Sequence, residues 1–320
     1  MPLFLREGDV KELLTMDDAL AAVEEAFRLQ GLGEADNHPR QRPRLERSML
    51  QVMPAAVAGM GFGLKAYTIA SGGVRFVVLL WAEETGDLEA VIEAGFMGQM
   101  RTGAASGVAT EYLARQDAAT VGMFGTGTQA PAQLEAVCAV RPIEHVWVYS
   151  RSPEGRQRFA GEMSDRFGGA VEAASAPREV VAEADIVITI TKASEPLFDG
   201  DWLRPGVHVN AAGSNRAQAR EIDARTVERA SLITIDDRAQ GQIEAGDLIA
   251  AAGEGVLAWD DVVELGQVVA GIVDGRQDDH SVTLFESLGA AIEDVAVARR
   301  VYEKAVVLGL GEELPETILG

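Results

Sequence analysis

The stretch Ala119-Thr120-Val121-Gly122-Met123-Phe124-Gly125-Thr126-Gly127-Thr128-Gln129-Ala130 decides the fold. Its first half reads as a buried strand, and it runs directly into a G-x-G-x-x-A turn that opens a helix. Gly125 permits the tight turn, Gly127 lets the backbone approach a pyrophosphate, and Ala130 lets the helix pack on the strand. The helix N-terminus then offers unpaired N–H groups and a partial positive charge to the phosphates. A glycine-rich turn that binds nothing is the alternative. The strand before it and the helix after it favour the nucleotide.

Downstream, apolar strands expected at 119–125, 145–150, 185–190, 206–211 and 231–235 alternate with helical stretches, the pattern of a doubly wound parallel sheet of Rossmann type. Upstream the pattern differs. Thr15 and Asp18 form a capping-box start for a helix over 15–30, ended by Gly31. A polar, Arg-rich segment follows from Asn37 to Arg47. Strand-like runs come next at Met49–Met53, Gly63–Ile69 and Val74–Trp81, and Thr85-Gly86-Asp87 turns into Leu88–Ile92. A helix is expected over Gly98–Leu113, where Gly103, Ala104, Ala105, Ser106 and Gly107 allow a close backbone approach. Helical spacing of Leu284, Leu288, Ile292, Val295, Tyr302 and Val306 predicts one helix over 283–308. The fold class is therefore α/β. The expected domains are a dinucleotide-binding Rossmann domain over 117–289 and a second, α+β substrate domain from 1–116 plus 290–320, both chain ends.

A net charge of −22 over 320 residues argues against nucleic acid as a partner, because phosphate binding needs a surplus of Lys and Arg. No run approaches the roughly 18 apolar residues of a membrane span. The start, Met1 to Glu7, has no basic-then-apolar signal pattern. The lone cysteine, Cys138, rules out a disulfide framework or a Cys-based zinc site within one chain, and the expected location is cytoplasmic. No metal is expected: the four histidines lie far apart in sequence, no H-x-x-x-H pair occurs, and no G-x-S-x-G elbow is present. His208, inside a strand, reads as structural.

The strand after the glycine loop ends His145-Val146-Trp147-Val148-Tyr149-Ser150-Arg151-Ser152. An acidic residue there would take the ribose hydroxyls of NAD; Ser150 and Arg151 stand instead, and a guanidinium suits a 2′-phosphate. NADP(H) is the preferred cofactor on this reading, with NAD(H) possible; Arg151 stacking on adenine or facing solvent is the alternative. Candidate chemistry rests on the cations of the N-terminal region: Arg40, Arg42 and Arg44, then Lys65, then Arg101. Arg101 would suit a substrate carboxylate. Lys65 beside two arginines should have a lowered pKa, as an acid or base working near neutrality needs. Taken singly, each is as readily a surface cation.

Taken together, Met53-Pro54-Ala55, Gly63-Leu64-Lys65, Arg101-Thr102-Gly103-Ala104-Ala105, Gly125-Thr126-Gly127-Thr128-Gln129, Val209-Asn210-Ala211-Ala212-Gly213 and Phe285-Glu286-Ser287-Leu288-Gly289 resemble the ornithine cyclodeaminase/mu-crystallin family, in order over nearly the whole chain. The resemblance implies an NAD(P)H-dependent oxidoreductase for a small α-imino or α-amino acid, as a homodimer whose second domain carries substrate binding and dimerisation. It implies Lys65 as the catalytic residue, and Lys65 and Arg101 as substrate contacts, with Arg101 on the carboxylate. A further arginine is expected upstream of Met53, Arg40 by distance with Arg42 as rival. Dinucleotide contacts would fall on Gly125, Gly127, Thr128, Gln129, Ser150, Arg151, Thr191 after the third strand, Val209, Asn210 and Ala211, with Ser287 near the nicotinamide.

Two departures narrow the implied activity. Cyclodeaminases of the family carry an aspartate where this sequence has Asn215 and a lysine where it has Ala219. Asparagine exchanges no proton at ordinary pH. An ammonia-releasing cyclodeaminase is therefore the second reading, and a non-catalytic NADPH-binding protein the third. Retention of both Lys65 and Arg101 counts against the third.

Overall fold

Residues 1–315 are described by the computed structural model. Two compact units emerge: Met1–Thr102 with the chain from Ala290 onward, and Gly103–Gly289. The first unit opens with strand β1 (Leu3–Leu5) and helices α1 (Glu7–Leu13) and α2 (Met16–Gly31). Thr15 caps α2 as its sequence predicts: its hydroxyl accepts from the Asp18 N–H, and its own N–H donates to the Asp18 carboxylate. Met16, Ala19, Val23, Ala26 and Phe27 then form one buried stripe at helical spacing. Strands β2 (Ala35–Asn37), β3 (Arg44–Leu45), β4 (Ser48–Val57), β5 (Gly61–Ala70), β6 (Gly73–Trp81) and β7 (Leu88–Glu93) follow. From β4 to β7 they form an antiparallel meander, with β1 added in parallel beside β7. Helix α3 (Gly95–Leu113) contributes its first turns to this unit and its remainder to the next.

The second unit contains β8 (Thr120–Phe124), α4 (Ala130–Val140), β9 (His145–Tyr149), α5 (Pro153–Phe167), β10 (Ala170–Ala173), α6 (Pro177–Ala182), β11 (Ile186–Thr189) and β12 (His208–Ala211). After these come α7 (Ala224–Arg229), β13 (Ala230–Ile235), α8 (Arg238–Glu244), α9 (Gly246–Gly253), β14 (Val262–Glu264), α10 (Leu265–Val269) and β15 (Val282–Glu286). The sheet order is β10-β9-β8-β11-β12-β15-β13-β14, and each adjacent pair is parallel. Every residue of β11 is buried: Ile186 and Ile188 feed one apolar cluster while Val187 feeds another, as a strand covered on both faces requires. The strand order reverses at β8, so the glycine loop leaves the sheet at the switch point where open α/β sheets bind ligands. The small residues of α3 act as expected: a Cβ on Gly103 would run into the carbonyl of Ala132 in α4.

The chain returns to the first unit as α11 (Ala291–Leu308), packed on β4, β5 and β6, and β16 (Glu312–Glu313) pairs with β1. The single helix expected over 283–308 is thus corrected. Val282–Glu286 is a strand between β12 and β13, and only the part from Ala291 is helical. Val282, Thr283 and Phe285 are β-formers and all five residues are buried, which outweighs the four-residue spacing of Leu284 and Leu288. Thr191 follows the fourth strand of its unit, not the third, because β10 was too short to announce itself. No helix among the described residues is long and apolar enough to cross a membrane.

Candidate active site

In the first unit the antiparallel register sets Lys65 on β5 directly opposite Met53 on β4, and the Arg40 Nε lies 3.3 Å from the Met53 sulfur. Arg40, Lys65 and Arg101 are all buried, at 6%, 3% and 6% exposure, whereas Arg42 is half-buried and Arg44 exposed. Arg40 is the more buried of the two rivals. Two carboxylates on α11 face these cations. Lys65 Nζ donates to Asp294 Oδ1 at 2.9 Å, and Arg101 Nε donates to the same oxygen at 3.1 Å. Arg101 Nη1 donates to Glu293 Oε2 at 2.8 Å, and Glu293 Oε1 accepts the Ala290 N–H at 2.9 Å. Asp294 Oδ2 is buried and has no hydrogen-bond partner among the described residues.

The Lys65 ammonium is held down to about 8 from its ordinary 10.5. Burial is the largest cause, the Arg101 charge the next, and Asp294 opposes both. The lowering expected from two neighbouring arginines is present, but desolvation leads it and Arg40 contributes least. Tyr67 and Phe76, ring centroids 4.9 Å apart, lie 5.9 and 5.6 Å from Nζ and wall the ammonium with aromatic surface.

Asp294 and Glu293 were not legible as site residues. In the sequence they are two acids in the first turn of a helix, where the helix dipole alone accounts for carboxylates. The signal was their setting: Ala291–Ala298 is otherwise apolar, and all eight residues are buried.

In the second unit, Gly125 has φ +113°, and a Cβ there would meet the carbonyl of Ile190. Its N–H donates to the Tyr149 carbonyl at 2.9 Å, which fixes the turn. A Cβ on Gly127 would meet nothing within 4 Å, so its backbone is open to a ligand. Thr128 is exposed at the start of α4, and Gln129 carries a buried Oε1 without a partner among the described residues. At the end of β9, Ser150 Oγ donates to the Ser152 carbonyl and Arg151 is exposed. Arg156 lies 4.9 Å above the Tyr149 ring and donates to the Ser150 carbonyl, which sets a second cation beside the first.

Val209, Asn210 and Ala211 form the buried end of β12. The Asn210 side chain is committed inward, donating to Thr110 Oγ1 at 3.0 Å and meeting His208 Nε2 at 3.2 Å. That leaves the strand's backbone end, not the amide, for a ligand. His208 is structural: fully buried, paired with Thr283, and pushed down to about 3 chiefly by burial. Ser287, at the end of β15, holds its N–H on the Ala211 carbonyl and keeps a buried Oγ without a partner among the described residues. Thr191 donates from N–H and hydroxyl to Glu221 Oε1, and the Gly213 N–H donates to Oε2. Glu221 thereby ties together the loops after β11 and β12, a role its place in Arg220-Glu221-Ile222-Asp223 did not disclose. An open glycine backbone, a helix N-terminus and the two unpartnered polar atoms of Gln129 and Ser287 together fit a dinucleotide.

The ornithine cyclodeaminase/mu-crystallin family model matches residues 1–308. The chain belongs to this family. Within it, the chain is 37% identical over 325 residues to a Delta(1)-pyrroline-2-carboxylate reductase of Bacillus cereus, covering 98% of this chain and 99% of the relative. It superposes on the Thermococcus litoralis Delta(1)-pyrroline-2-carboxylate reductase, solved with NADH and L-proline, with TM-score 0.93 and 36% identity over 98% of this chain and 100% of that one. An archaeal alanine dehydrogenase dimer with bound NAD matches with TM-score 0.92 and 36% identity, over 98% and 99% of the two chains.

Proposed function

We propose that this member of the ornithine cyclodeaminase/mu-crystallin family reduces a small α-imino acid, or oxidises the matching α-amino acid, with Lys65, Arg101 and Arg40 as the residues that hold the substrate. The chain is an NAD(P)-dependent oxidoreductase acting on amino or imino groups, as its relatives are. The observation that carries the reading is the buried cluster around Lys65. Buried Lys65 and Arg101 are held by Asp294 and Glu293, and buried Arg40 lies close enough for its charge to act on Lys65, a cationic setting that suits the carboxylate of a substrate.

When bound, the reduced nicotinamide supplies the hydride. Arg101 keeps Nε on Asp294 and Nη1 on Glu293, so its remaining terminal nitrogen and Arg40 grip the substrate carboxylate. A planar guanidinium already held at two of its nitrogens orients that group better than a free side chain would. Lys65 holds or gives up a proton at Nζ for the substrate nitrogen, and a group near 8 serves both directions. Tyr67 and Phe76 keep water from that proton and present apolar surface to the substrate side chain.

The proposed division of labour gives substrate binding and dimerisation to 1–116 with 290–320, and the dinucleotide to 117–289. Contacts to the dinucleotide are assigned to Gly125, Gly127, Thr128, Gln129, Ser150, Arg151, Thr191, Ser287 and the backbone of Val209, Asn210 and Ala211. NADP(H) is the preferred nucleotide on this reading, supported by exposed Arg151 with Arg156 beside it and no acid at that strand end. A homodimer in the cytoplasm completes the proposal, by analogy with the dimeric alanine dehydrogenase and from the lone Cys138. Asn215 and buried Ala219 offer no proton carrier where a cyclodeaminase needs one, so ornithine cyclisation is not proposed.

The carboxylate grip is tested with an α-imino acid and its methyl ester. Wild type should favour the acid by 100-fold or more in kcat/KM, and Arg101→Met should erase that preference, chiefly through KM. An equal preference in both proteins would remove Arg101 from the carboxylate.

A further inference from the structure

We propose that Asp294 recognises the positively charged nitrogen of the substrate, and that this carboxylate makes the enzyme select imines over ketones. The inference rests on the imino-acid reading above. It starts from an asymmetry in one side chain. Asp294 Oδ1 accepts from both Lys65 Nζ and Arg101 Nε, at 2.9 and 3.1 Å, while Oδ2 of the same group accepts from nothing among the described residues. Asp294 is 1% exposed. A buried acceptor left unpaired is costly, and more so when charged. A counter-ion that served only the two cations could place one oxygen on each; here they share one and leave the other open.

The missing partner must be a donor, and the cations around it say where it comes from. Arg101 and Arg40 hold the α-carboxylate on the proposed reading, and in an α-imino acid the nitrogen sits on the very next carbon. Oδ2, the open oxygen of a carboxylate whose Oδ1 is bonded to both Arg101 and Lys65, is therefore placed for that nitrogen. Glu293 cannot substitute: its oxygens are taken by Arg101 and the Ala290 N–H.

The electrostatics then discriminate between substrates. In the imine direction a proton passes from Lys65 Nζ to the imino nitrogen, leaving Lys65 neutral and giving an iminium that Asp294 stabilises. The hydride's electron pair forms the C–H bond, the C=N π pair becomes the nitrogen lone pair, the nicotinamide is oxidised and the imino acid reduced. Water then returns a proton to Lys65. A ketone at the same place would develop negative charge on oxygen beside Asp294, and that raises its barrier.

The test is the ratio of kcat/KM for Delta(1)-pyrroline-2-carboxylate, or pyruvate with ammonia, to that for pyruvate alone. Wild type turning over neither imine would sink the imino-acid reading itself. With wild type active, Asp294→Asn should lower that ratio by about 100-fold or more, the scale of losing one buried charge pair. Glu293→Gln, in the same helix and equally buried, should leave it unchanged. Equal loss on imine and ketone in Asp294→Asn would make Asp294 a counter-ion only and overturn the proposal. Should Asp294→Asn not fold, binding to the wild-type enzyme with oxidised nucleotide decides the matter. L-alanine should bind at least 100-fold tighter than L-lactate, and equal affinities would overturn the proposal.

Discussion

Replacing Lys65 by methionine keeps most of the stem's volume and removes the ammonium, and the structure fixes what should follow. Nζ is held near 8 by burial and by Arg101, with Arg40 adding a little and Asp294 pulling the other way, and the rings of Tyr67 and Phe76 face it. Reduction needs Nζ protonated, so wild-type kcat/KM for an imino acid should fall as pH rises through about 8. Oxidation of the amino acid needs Nζ neutral and should rise through the same pH. General acid–base catalysis contributes about 10²–10⁴-fold, so Lys65→Met should lose roughly 3–5 kcal/mol of transition-state stabilisation and its profile should lose the limb near 8. Stability supplies an independent sign. The folded pKa lies below the unfolded one, so between 8 and 10.5 the unfolded chain binds more protons and stability rises with pH. The full rise is about 3 kcal/mol for a shift of this size, and methionine should abolish it. The assays are nucleotide absorbance across pH 6–10 and denaturant melts over the same range. A variant within tenfold of wild type, or a wild-type profile flat between pH 7 and 9, would refute the reasoning.

Two other substitutions test the nucleotide side. Gly125→Ala forces a side chain onto a φ of +113° and against the Ile190 carbonyl, so nucleotide affinity measured by fluorescence titration should drop by more than tenfold; unchanged affinity would mean that the turn does not shape the site. Arg151→Glu should raise KM for NADPH at least tenfold while leaving NADH within a few-fold, and an unchanged NADPH KM would assign Arg151 to solvent.

How far the sequence could be read depends on where the information is local. Gly125, Gly127 and Ala130 announce the turn because their need is a backbone one, met within six residues, and Thr15 with Asp18 announce a helix start for the same reason. Lys65 and Arg101 stood out through their flanking motifs. Their partners did not: Asp294 is 229 residues from Lys65 and 193 from Arg101, and only the return of α11 onto β4–β6 brings them together. Glu221 was equally silent, since its partners at Thr189, Thr191 and Gly213 are backbone and hydroxyl groups with no charge to match. The misread stretch, Val282–Glu286, shows the limit of periodicity: five buried residues in a parallel sheet carry no alternation to oppose a helical reading.

The central claim is net reduction of an α-imino acid, and the most direct measurement follows NADPH and NADH absorbance with Delta(1)-pyrroline-2-carboxylate and with pyruvate plus ammonia or methylamine, beside ornithine with ammonia release as its readout. The account predicts stoichiometric nucleotide oxidation with the imines, faster with NADPH, and no ammonia from ornithine. Ammonia released from ornithine without net change in nucleotide would contradict it.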